Sequence, residues 1–123
     1  MIFANTDKEI TLIYHSKDRT GQQILAYAQS ENIPIHDIDL KYVKLTKTHW
    51  AELASRMNIH VWDLVNKDHS AFLQKFGHTD NLSEDDWLTL LVHNPDILIA
   101  PIVMKGDKVV AMRNPQDMLQ FIK

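Results

Sequence analysis

Between an apolar run ending at Tyr14 and a helical pattern opening near Arg19 lies His15-Ser16-Lys17-Asp18-Arg19-Thr20-Gly21-Gln22. This short stretch places an imidazole, two cations and a carboxylate beside a helix N-terminus. The first N–H groups of a helix have no intrahelical acceptor and carry partial positive charge, so they attract anions. A guanidinium next to them adds charge and a forked donor geometry. Arg19 with the backbone N–H groups of Thr20, Gly21 and Gln22 is therefore a candidate anion site. The plainer alternative is that Arg19 pairs with Asp18 or with solvent. Chemistry that needs sulfur is excluded, because the chain has no cysteine: there is no disulfide, no thiolate metal ligand and no cysteine nucleophile.

Other reactive residue types are less concentrated. His36, His49, His60, His69, His78 and His93 are scattered, and none forms the i, i+4 pair with a nearby glutamate that a zinc hydrolase helix carries. Ser83-Glu84-Asp85-Asp86 is explained by a helix capping box with an acidic first turn. Lys41, Lys44 and Lys47 form a basic stretch, which reads as solvated loop lysines because the whole chain carries a formal charge of -3. That balance also argues against nucleic acid and anionic membranes as partners. Trp50 and Trp87 fall at core-facing helical positions, and Trp62 is expected to be partly exposed.

The elements that must position these groups follow from periodicity. Length and composition (123 residues, 45% hydrophobic) fit a single domain over residues 1–123 with its own core. After a polar lead-in over 1–8, Glu9 to Tyr14 reads as a strand buried on both faces. Asp18 or Thr20 caps a helix with Ile24, Leu25 and Ala28 on one face, ended by Asn32 and Pro34. Ile35, Ile38 and Leu40 mark a second strand. Thr46 or Thr48 opens a helix through Met57, with Asn58 suited to a left-handed cap. Short helices are expected over Val61 to Asn66 and Ser70 to Phe76, then a longer one from Ser83 to about His93, stopped by Asn94-Pro95. Ile102 to Met112 is a hairpin pattern turning at Gly106, and Asn114-Pro115 opens a closing helix over Gln116 to Ile122. The order β-α-β, helical insert, β-β-α predicts an α/β fold: a four-stranded mixed sheet flanked by helices, with its first two strands parallel. The longest apolar runs are too short to span a bilayer and no signal-peptide pattern opens the chain, so a cytoplasmic location is expected.

The sequence resembles the glutaredoxin-coupled arsenate reductase family, which also includes the Spx-type transcription regulators. The resemblance rests on Ile13-Tyr14-His15, Glu52-Leu53, Asn94-Pro95 followed by Pro101-Ile102-Val103, and Arg113-Asn114-Pro115. It implies a thioredoxin-like fold of the glutaredoxin type, with Pro101 as a cis-proline opposite the active loop. It also implies that Arg19 stands where the family has its nucleophilic cysteine. Of three family arginines around the oxyanion, the matching residues here are Asn66, Ala100 and Arg113, so only the last persists. His15 matches a family histidine at the strand end, and without a thiol to tune it reads as a structural hydrogen-bonding group. The expected ligand-binding set is His15, Arg19, Thr20, Gly21, Gln22, Pro101 and Arg113, with the two arginines converging near Pro101.

These readings point to a redox-inactive member of that family, a binding or regulatory module using the former active-site face for a protein or a small anion. A second expectation is a glutathione-dependent reductase or transferase drawing on an external thiol, glutathione being the one cofactor this admits. A third is a Spx-like transcription-associated adaptor. No metal is expected.

Overall fold

The computed structural model describes residues 10–66 and 82–118. The expected lead-in, the helix over Ser70 to Phe76, His69, His78 and the end of the closing helix lie outside those residues.

Strand β1 (Ile10–Tyr14) is buried at every position, as its unbroken apolar run requires. It pairs in parallel with β2 (Ile35–Asp39), Ile13 opposite Ile38, and antiparallel with β3 (Ile102–Lys105), Leu12 opposite Val103. A hairpin joins β3 to β4 (Lys108–Ala111) and completes the order β2-β1-β3-β4. Lys105 faces Lys108 across a two-residue turn, and Gly106 at its first central position has φ 60°. Turns of that kind need glycine there, because a side chain at positive φ is strained.

Side-chain alternation in β1 gives the sheet two cores. Leu12 and Tyr14 pack with Ile24 of α1 (Arg19–Ser30), Val103, Met112 and Met118 on one face. Ile13 packs with Ile102 and Met104 against α2 (Lys47–Met57) and α3 (Glu84–His93) on the other, where Trp50, Leu53, Trp87 and Leu91 meet. Caps set the helix boundaries. Thr46 accepts the His49 N–H and His49 returns to the Thr46 N–H; Asn58 then closes α2 at φ 57°. Ser83 and Asp86 make the reciprocal box at α3. Asn32, at φ 56°, follows α1, and Ile33 N–H reaches back to Ala28 O. Arg56 of α2 donates to Gly106 O at 3.0 Å and so ties the helical layer to the hairpin.

Three expectations need correction. The segment after α2 is a single 3-10 turn, Val61–Leu64, because Val65 leaves it to pair antiparallel with Leu98. Where the closing helix was expected, Pro115–Asp117 is a 3-10 turn capped by Asn114. The Ala100–Pro101 peptide is trans, since no described peptide bond is cis. Trans is the intrinsically favoured form of an X–Pro bond. Pro101 also lies just ahead of β3, where a missing N–H costs no ladder bond, and its carbonyl accepts the Met112 N–H at 2.7 Å.

Candidate functional site

The loop leaving β1 folds on its own polar groups. Asp18 N–H donates to His15 O at 2.7 Å, and Lys17 N–H to His15 Nδ1 at 3.1 Å. With Nδ1 accepting, the proton of a neutral ring sits on Nε2. His15 therefore acts as the hydrogen-bonding strut of the loop. Asp39, at the end of β2, accepts the Ser16 N–H and the Lys41 N–H, both at 3.0 Å and both on Oδ1. One carboxylate oxygen thus fastens two neighbouring loops.

Between the alternative caps of α1 the structure selects Asp18. Its carboxylate accepts the Thr20 N–H at 2.9 Å, and its carbonyl accepts the Gln22 N–H at 3.2 Å. The Gln22 side-chain amide donates to Ser16 O. The helix start consequently carries an internal anion. A ligand oxyanion aimed at the Thr20 N–H has to compete with Asp18, which lowers the value of the helix terminus as an anion site. Gly21 is buried against Tyr14, and a Cβ added there would lie 2.7 Å from the tyrosine Cβ. That glycine is present for close approach of α1 to β1.

Above this loop is a cavity of about 300 Å³ lined by His15, Lys17, Asp18, Arg19, Asn66, Asp96, Leu98 and Ile99. Two cations face two carboxylates, over an apolar floor from the segment leading into β3. Asn66 reaches the cavity because its N–H is bonded to Ile97 O at 2.8 Å, next to the Val65–Leu98 bridge. Of the residues expected at the site, His15 and Arg19 line the cavity. Thr20, Gly21 and Gln22 form the first turn of α1 behind it, and their polar contacts are largely internal. Pro101 is buried and Arg113 exposed, and neither contributes to the lining. Lys17, Asp96, Leu98 and Ile99 were missed. Asp96 follows the Asn94-Pro95 stop directly, which was the one local signal that could have found it. Among the described residues no group of three metal-ligating side chains converges.

Beneath the loop, the Tyr14 hydroxyl is held above its ordinary pKa. Burial is the largest cause, followed by the Asp39 and Asp37 carboxylates and the hydrogen bond to Asp37, which is long at 3.5 Å.

The ArsC family pattern matches residues 14–121. This chain belongs to the ArsC family. Its fold is also that of the arsenate reductase from Vibrio cholerae, at TM-score 0.79 and 15% identity over 94% of this chain and 98% of that one. An arsenate reductase (ArsC) related protein from Brucella melitensis is similar at TM-score 0.63 and 12% identity, over 98% and 99% of the two chains. Identities this low speak for the architecture alone. No curated protein matches the sequence significantly. Within this ArsC, thioredoxin-like framework the absence of cysteine is the outstanding chemical fact. No helix among the described residues is long and apolar enough to cross a membrane.

Proposed function

We propose that this ArsC-family chain is a redox-inactive binding module of the cytoplasm that uses the face formed by the end of β1 and the start of α1. The observation that carries this reading is Arg19, a residue that cannot act as a nucleophile, lining the cavity of a chain with no thiol. A fold outlasts its chemistry readily, because reactivity resides in a few side chains. The cavity wall favours a ligand bearing both charges over a bare oxyanion: Lys17 and Arg19 suit carboxylates, Asp96 suits an ammonium, and Asp18 already occupies the helix start.

The test is direct. Purified protein mixed with arsenate, glutathione and glutaredoxin should reduce no arsenate beyond the protein-free control. Turnover above that control would overturn the reading.

The mixed charge also supports a second reading, a glutathione-dependent reductase or transferase. Glutathione carries two carboxylates and one ammonium, and would supply the thiol that the chain lacks. Lys17 and Arg19 would hold its carboxylates and Asp96 its ammonium. This reading expects heat on calorimetric titration with glutathione, reduced by Arg19→Ala. Saturating glutathione with no heat would end it.

A further inference from the structure

A second concavity lies across the Pro95–Ile97 turn from the first. Pro95 contributes to it, whereas the next residue, Asp96, lines the cavity above α1. Its volume is about 280 Å³, and its walls are the β2–α2 connection, the start of α2 and the end of α3. The floor is apolar: Leu40, Leu45, Trp50 and Leu91 are all buried. Tyr42 and Val43 stand on the rim, 77% and 45% exposed. Among the described residues the other large hydrophobic side chain so exposed is Val110. Two of the three thus adjoin one groove. Surface exposure of a tyrosine and a valine side by side is costly unless something covers them.

Charge and hydrogen bonding narrow down what covers them. Lys41, Lys44 and His93 line this groove and no carboxylate does, on a chain whose formal charge is -3. Lys41 Nζ sits 5.5 Å from the Tyr42 ring centroid, which joins the charge to the exposed ring. Trp50, in the floor, is fully buried, and its indole N–H has no acceptor among the described residues. An unpaired buried donor is destabilising, and it is the kind of group a bound oxygen satisfies.

We infer that this groove docks an acidic, extended segment of a partner protein: an apolar side chain seated on the floor beside Tyr42 and Val43, flanked by aspartate or glutamate facing Lys41 and Lys44, with a carbonyl or carboxylate oxygen for the Trp50 indole. A nucleic acid would ask for a longer basic track and bases stacked on several aromatics. A membrane surface would ask for a convex basic patch, whereas this site is concave. The inference is independent of the ligand at the Arg19 cavity.

The experiment selects binders to the full chain from a phage-displayed random dodecapeptide library, then measures the chosen peptides by calorimetry and by the indole N–H resonances in NMR. Enriched peptides should pair Asp or Glu with a large apolar residue and move one indole resonance, which Trp50→Phe removes from the spectrum. The surface double variant Lys41→Glu/Lys44→Glu should weaken them about tenfold or more, Tyr42→Ala should weaken them as well, and Arg19→Ala should leave them unchanged. The proposal is overturned if nothing enriches over bare support, or if the enriched peptides are basic or uncharged. Indifference of their binding to the lysine reversal overturns it too, as does tighter binding of phosphatidylserine vesicles or single-stranded oligonucleotides than of any selected peptide.

Discussion

The two concavities on either side of the Pro95–Ile97 turn differ in how their polar groups are used. In the cavity at the start of α1, His15, Asp18 and Gln22 bond to their own backbone neighbourhood, and cations are balanced by carboxylates. In the groove beneath the β2–α2 connection the cations have no acidic counterpart in the lining, and an indole donor lacks an acceptor. The stretch richest in chemical residue types is thus the one whose capacity is mostly consumed by holding a loop in place. The plainer loop retains more of its capacity for something outside. Residue type shows what a site can do, but the accounting of donors, acceptors and charge shows what remains for a ligand.

The contrast is open to attack by mutation. Gly21→Ala should have the largest effect, because the new methyl meets the Cβ of Tyr14, which cannot swing aside. A loss of about 1–3 kcal/mol is expected in denaturant titration, overpacking exceeding the gain in helix propensity. Amide shifts should concentrate over His15 to Gln22 and spare 41–45; no loss of stability would refute the close approach. Asp39→Ala removes the oxygen that accepts both the Ser16 and the Lys41 N–H. It should cost about 1–2 kcal/mol and disturb both loops together; a response confined to one loop would show that the shared fastening is unimportant. Asp18→Ala deletes the cap of α1, worth about 1 kcal/mol. It should also make the protein more responsive to sulfate, since the Thr20 N–H is then released. If sulfate raises the melting temperature of the wild type as much as that of the variant, Asp18 is no competitor for anions.

The smallest effect concerns alkaline pH. Tyr14 has a raised pKa in the folded state, so above about pH 10 the unfolded chain loses this proton first. Its contribution to stability is complete below the unfolded pKa and is lost as pH rises through the folded value. Stability should therefore decline with pH in that window, and Tyr14→Phe should flatten the decline. An unchanged slope in the variant would assign the effect elsewhere.

Much of the scaffold was readable because its determinants are local. The Thr46 and Ser83 caps, Asn58 at the end of α2 and the glycine turn at Gly106 each act within a few residues, and the doubly buried run of β1 states its place in the sheet. The misreadings have a common cause in tertiary context. Val65 looked like a helix residue until Leu98 offered it a strand partner. Pro101 was expected cis, and Arg113 beside Arg19, by resemblance to relatives; neither depends on anything visible in the adjacent residues. Lys41 and Lys44 looked like ordinary solvated lysines, since nothing nearby in sequence announces that Leu91 and Trp50 form a floor beneath them. Lys47, the third of that stretch, meets Asp85 at 3.0 Å, an exposed pair of small energetic weight.

The Pro95–Ile97 turn is a partition with one face toward each concavity, and the two faces are a single peptide unit apart. A proline at its head and a buried isoleucine at its foot leave it little freedom to yield. Pressure from an occupant on one side is therefore transmitted to the other instead of being absorbed, so the chain is built less like two separate receptacles than like two rooms sharing a thin, stiff wall.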